Sequence, residues 1–116
     1  MEFDALLKPG LRGEKTETVT ENNTAESWGS GGLPVYATPS MIALMEGAAV
    51  DAADRLLPPG WSTVGTGLEV KHLAATPVGL EVRAAAELLE IDGRRLRFTV
   101  EAFDGAGKIG EGCHDR

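Results

Sequence analysis

Three polar residues of this chain stand in apolar surroundings: Thr38, Glu46 and His72. Between Ser40 and Val50 only Ser40 and Glu46 are polar, and a helix that is apolar nearly all round belongs inside a protein. A carboxylate in the middle of such a helix is expected to be paired or to do chemistry. Burial raises the pKa of a carboxyl and a nearby cation lowers it, which is how a base is poised near neutral pH. His72 is the expected partner of Glu46. Each residue also has a plain structural reading: Glu46 bonded to backbone or to a partner subunit, His72 a satisfied core histidine, Thr38 a helix cap. A hydroxyl at the helix start can do both jobs. The free N–H groups there are also ready donors for a carbonyl oxygen that gains charge in a transition state.

The elements that must carry these residues follow from pattern. Thr38 is the N-cap candidate and Pro39 fits the first helical position, where its missing N–H costs nothing. Pro58-Pro59-Gly60 stops the helix after about 18 residues. Asp51, Asp54 and Arg55 form its polar stripe, with Glu46 on the dry side, and Ala48, Ala49, Ala52 and Ala53 are small enough to let a sheet come close. Alternation gives a first strand over 14–20, a second in which Leu68, Val70, His72 and Ala74 point inward, and a third over Leu80 to Ile91. Asp92-Gly93 signals a hairpin into a strand over Arg94 to Phe103, and a last strand begins at Lys108 and would run on past Arg116. The four later strands read as an antiparallel meander. Residues 1–13 are a leading arm whose Phe3, Leu6 and Leu7 can pack on the body. Residues 21–33 are a Gly-rich loop in which Trp28 either fills the edge of the core or folds over a ligand. One helix against one antiparallel sheet is an α+β arrangement, and strands of this length curl around the helix.

With 116 residues, 42% hydrophobic, 25% charged and 5% aromatic, the chain reads as one globular domain spanning 1–116. A net charge of −7 argues against a nucleic-acid partner. Arg94, Arg95 and Arg97 can still hold an isolated phosphate, with a solvated strand end as the alternative. The single Cys113 forms no internal disulfide, and no signal peptide or membrane-spanning run is seen, so a reducing, cytoplasmic setting is expected. Cys113-His114-Asp115 is no triad, because neighbours in a strand point to opposite faces. No spacing suggests a metal site. Gly65-x-Gly67 lacks the context of a nucleotide loop and suits close backbone approach to a ligand instead.

The runs Val35-Tyr36-Ala37-Thr38, Leu44-Met45-Glu46, Gly65-Thr66, Lys71 to Gly79, Asp92 to Leu96 and Ile109 to Arg116, in this order and spacing, resemble the fluoroacetyl-CoA thioesterase family of hot-dog proteins. The resemblance covers about residues 33–116 and implies a hot-dog fold, a curved antiparallel sheet wrapped around one long helix, in a homodimer whose sites lie between subunits. It also implies hydrolysis of acyl-CoA thioesters by Thr38, Glu46 and His72, with Gly65 in the active site. The loop before Thr38 departs from the family pattern, carrying Trp28 and several glycines.

The expectation is therefore a thioesterase for a short-chain acyl-CoA. Thr38, Glu46 and His72 are the catalytic candidates, and Gly65, Trp28, Tyr36, Arg94 and Arg95 the substrate-binding ones. No metal or other cofactor is expected, and coenzyme A enters as part of the substrate. The rival reading is a non-catalytic acyl-CoA or small-ligand binding module that uses the same cavity.

Overall fold

The computed structural model describes residues 5–116; Phe3 of the expected arm lies outside them. Strand β1 (Arg12–Thr18) leads into a short helix α1 (Ala25–Trp28) and then the long helix α2 (Thr38–Ala53), which closes with a 3₁₀ turn over Asp54–Leu56. Four strands follow: β2 (Gly67–His72), β3 (Glu81–Asp92), β4 (Arg95–Asp104) and β5 (Gly107–Asp115). They form one antiparallel sheet in the order β1-β3-β4-β5-β2. The expected four-strand meander is thus corrected to three. Only β3, β4 and β5 are joined by hairpins, while β2 pairs with β5 at the far edge and the chain then crosses back to β3. Short alternating patterns fix which face is buried, not which neighbour is chosen.

The faces themselves follow the alternation. Val82, Ala84, Ala86 and Leu88 of β3 and Leu96, Phe98, Val100 and Ala102 of β4 are all buried against Met41, Met45 and the alanines of α2. Each large side chain so buried contributes about 1.5–3 kcal/mol, which makes this layer the main stabilising contact. The alanine stripe does what its size suggests. A Cβ on Gly13 of β1 would lie 2.2 Å from the carbonyl oxygen of Ala48, so strand and helix touch backbone to backbone. At the helix start the same device recurs, since a Cβ on Gly110 of β5 would lie 2.4 Å from the sulfur of Met41. That close seat brings the first turn of α2 down onto the β5–β2 edge.

Two local expectations are corrected. The N-cap of α2 is Ala37, whose carbonyl accepts from Met41 N at 3.0 Å, and Thr38 is already helical with no capping bond. The reason is that Tyr36 N and Ala37 N are tied to Thr76 O and Asn23 O, which holds residue 37 extended, so that the helix starts at Thr38, one residue earlier than expected. The loop after β1 contains α1, capped by the Thr24 hydroxyl on Ser27 N and ended by Gly29 at φ 72°. Among the described residues, no helix is long and apolar enough to cross a membrane.

Candidate active site

The sequence candidates fall into two groups at opposite ends of β2. At its C-terminal end the Thr38 hydroxyl lies 2.7 Å from His72 Nδ1. Thr38 comes from the first turn of α2 and His72 from the last position of β2, on the half-buried face that also carries Leu68 and Val70. His72 Nε2 is buried and has no protein partner, alone in this among the side-chain nitrogens and oxygens of the described residues. Burial pushes the ring below the ordinary imidazole range, against a smaller opposing influence from the backbone of Ala74. A cleft of about 340 Å³ opens here, walled by Ala25, Tyr36, Thr38, His72 and Leu73 among others.

At the N-terminal end of β2 stands Glu46, with a different set of partners. Its Oε2 accepts from Arg116 Nη1 at 3.2 Å and lies 3.9 Å from His114 Nε2. Arg116 Nη1 also reaches His114 Nε2 at 3.1 Å. An arginine only donates, so Nε2 is the accepting nitrogen, and His114 Nδ1–H donates to the Gly67 carbonyl at 2.9 Å. Arg116 is 7% exposed and His114 1%, whereas the Glu46 side chain is 40% exposed. A Cβ on Gly65 would lie 2.5 Å from Glu46 Oε2, so glycine there makes room for the carboxylate. A second cleft of about 480 Å³ adjoins this group, lined by Leu57, Trp61, Thr63, Arg94, Leu96 and Arg116 among others.

Within one chain, then, Glu46 is partnered by Arg116 and His114, not by His72 as the sequence pattern suggests, and it is not sealed from water. The geometry explains why. Glu46 is eight residues beyond Thr38 on the same helix. At the usual rise per residue the two stand about 12 Å apart along its axis. A carboxylate and an imidazole at those two ends cannot share a proton.

The model of one family, FlK, described as fluoroacetyl-CoA-specific thioesterase, matches residues 19–116. This chain belongs to that family. A fluoroacetyl-CoA thioesterase from Streptantibioticus cattleyicolor is 49% identical over 82 residues, which cover 71% of this chain and 59% of that enzyme. The aligned segment thus spans less than two thirds of the curated relative. Among solved structures, a variant of the fluoroacetyl-CoA-specific thioesterase FlK in complex with fluoroacetate and CoA superposes with a TM-score of 0.87 at 37% identity, covering 94% of this chain and 92% of that one. A hot-dog-like protein from Thermanaerovibrio acidaminovorans does so with a TM-score of 0.89 at 25% identity, covering 100% of this chain and 86% of that one. The fold of this FlK-family chain is the expected hot-dog arrangement.

The remaining substrate-binding candidates separate on inspection. Tyr36 walls the cleft beside Thr38, but its ring is 1% exposed and its hydroxyl donates to Glu17. Burial, reinforced by the Glu17 carboxylate, holds that phenol well above its ordinary range, so it offers a wall rather than a hydrogen bond. Trp28 ends α1 and is largely exposed, which corrects the core-edge reading; its Nε1–H donates to Ser40 Oγ at 2.8 Å and docks α1 on the start of α2. Arg95 is paired with Glu90 and Asp92. Arg94 has no carboxylate partner among the described residues and lies over the Trp61 ring at 5.5 Å. Cys113, His114 and Asp115 form no triad: Cys113 is exposed, His114 is buried and Asp115 bonds Arg97. Arg116, His114 and Thr63 were missed as site residues. The available signal was parity, since His114 near the end of β5 and Arg116 just beyond it, still paired to Leu96, are two polar residues on one side of the same extended run.

Two outcomes follow from this geometry. In Gly65→Ala the methyl meets the flexible end of Glu46 at 2.5 Å and, less severely, the His114 ring at 3.2 Å, with no backbone atom in its way. A crystal structure will therefore show the carboxylate swung away from Arg116 while Tm stays within about 3 °C of the parent. An NMR titration will place His72 below the ordinary imidazole value of about 6.5. Above that value folded and unfolded chains both hold His72 neutral; as pH falls through it the unfolded chain takes the proton first, and stability drops.

Proposed function

We propose that the protein hydrolyses a short-chain acyl-CoA thioester to the free acid and CoA, in sites assembled across a homodimer. The observation that carries this reading is the split of the candidate residues into two half-sites at the two ends of an edge strand. Among the described residues no strand pairs with the outer side of β2, the kind of edge that accepts another strand. Two copies of β2 joined antiparallel about a two-fold axis set the His72 end of one against the Gly67 end of the other. Thr38 and His72 of one copy then face Gly65 and Glu46 of its partner. A stripe of Ile42, Ala43 and Val50 left open beside Glu46, and Leu68 and Val70 only half-buried on β2, provide the apolar surface such a contact needs.

In that arrangement the cleft at Thr38 and His72 receives the acyl group, and the thioester carbon lies between the two half-sites. Glu46 attacks that carbon, displacing the thiolate and forming an anhydride that water then opens to the free acid, or it takes a proton from the water that attacks the carbon and displaces the thiolate directly. His72, kept neutral by burial, accepts and returns protons through the Nε2 that has no protein partner. Backbone N–H groups at the helix start or near Gly65 hold the carbonyl oxygen, each worth about 3 kcal/mol in the transition state. The larger cleft takes the CoA arm, with Arg94 the freer of the two candidate phosphate contacts. The relatives support the substrate class: FlK structures include complexes with fluoroacetate and CoA and with acetyl-CoA.

A second mechanism draws on the 2.7 Å contact between the Thr38 hydroxyl and His72. That distance is within reach for a hydroxyl nucleophile and its base: Thr38 attacks the thioester carbon as His72 takes its proton. The CoA thiolate leaves and receives that proton, and water then hydrolyses the Thr38 ester to the free acid. A thiol-release assay over acetyl-, fluoroacetyl-, propionyl- and butyryl-CoA tests the function. Turnover of at least one substrate is expected, falling about 10²-fold or more in Glu46→Gln. An acyl group trapped on Thr38 by mass spectrometry would favour the second mechanism. Tight binding of every acyl-CoA with the thioester left intact would replace the enzyme by a binding module.

A further inference from the structure

The Arg116 guanidinium is held from more sides than an ion pair with one half-exposed carboxylate requires. Its Nε donates to Thr63 Oγ1 at 2.8 Å and its Nη2 to the Thr63 carbonyl at 3.0 Å. Its Nη1 supplies the bonds to Glu46 and His114. Four of its five N–H groups thus have acceptors, and a planar fork met on three edges cannot rotate. Thr63 is itself fixed. Its N–H donates to Asp54 Oδ2 at 3.1 Å and its hydroxyl to Asp54 Oδ1, which ties the loop between α2 and β2 back to the end of the helix that carries Glu46.

Resting on the thioesterase reading above, we propose that Asp54 and Thr63 are positioning residues: they clamp Arg116, and through it aim Glu46 at the substrate. The consequence lies in which carboxylate oxygen is occupied. Oε2 takes the Arg116 bond and Oε1 has no hydrogen bond among the described residues, so the clamp leaves one oxygen with a fixed direction for the chemistry. Without it, Glu46 is a half-exposed side chain with several rotamers open to it. The same loop carries Gly65, two residues on, so one contact sets both the backbone that Glu46 leans on and the cation that holds it. Thr63 is suited to this because a single hydroxyl donates to Asp54 while accepting from Arg116. Valine matches its shape and can do neither.

The test is Thr63→Val, with Thr63→Ser as the conservative control and Asp54→Ala as an independent break of the same chain. Expected for Thr63→Val is a fall in kcat of about 10- to 100-fold with KM changed less than about threefold, because misplacing a reacting group by about 1 Å costs on that order while binding contacts stay. Thr63→Ser restores most of kcat, and Asp54→Ala reproduces the kcat loss. A Thr63→Val enzyme that loses thermal stability but keeps kcat, or a Thr63→Ser enzyme as slow as Thr63→Val, overturns the proposal. Crystal structures of the parent and of Thr63→Val give a readout that does not depend on turnover. Loss of the Arg116–Glu46 bond in the variant supports the clamp even if the parent hydrolyses no acyl-CoA, and retention of that bond refutes it even if the parent is an active thioesterase.

Discussion

A single helix carries both Thr38 and Glu46. Its rise of about 1.5 Å per residue keeps them too far apart to meet on one carbon atom. Much of the structure answers to that spacing. Helix α2 runs along the sheet so that Thr38 in its first turn meets His72 at the end of β2, while Glu46 in its third turn meets His114 and Arg116 at the end of β5. Two clefts, not one, adjoin these ends. In the dimer we propose, a two-fold axis beside β2 would turn this separation into an advantage, setting each end of one copy against the opposite end of the other.

Electrostatics differ between the two groups. His72 sits where burial disfavours its charged form, with one ring nitrogen fixed by Thr38 and the other left unpartnered. Glu46 is half-exposed, with one oxygen free of protein hydrogen bonds among the described residues and the other held by an arginine that has acceptors for four of its five N–H groups. Net charge gives no hint of this arrangement. The chain is acidic overall, and the single guanidinium that matters is hidden by the loop that binds it.

How much of this was legible depends on the range over which each signal acts. The periods of α2, β3 and β4 named the buried residues correctly, because Met45, Val82 or Phe98 are selected by local alternation against one core. Thr38, Glu46 and His72 could be singled out as polar groups in apolar runs, and Gly65 as a place of close approach. The pairing could not be read. That Glu46 meets Arg116 and not His72 follows from β2 lying beside β5, a long-range register that no local pattern encodes. The cap at Ala37 was missed because backbone bonds from Tyr36 and Ala37 to remote segments decided it. Helix α1, by contrast, carried its own signals in Thr24, Ser27 and Gly29, and composition alone hid it as a loop.

The central claim is that Glu46 of one copy works with Thr38 and His72 of the other, and subunit complementation tests it most directly. Glu46→Ala and His72→Ala are each expected to be inactive as separate proteins. Unfolded together and refolded as a mixture, they would form hybrid dimers in which one of the two sites is intact, recovering about a quarter of parental activity by random pairing. A mixture that forms hybrids, verified by mass, yet stays as inactive as its components would contradict the account and return the whole site to a single chain.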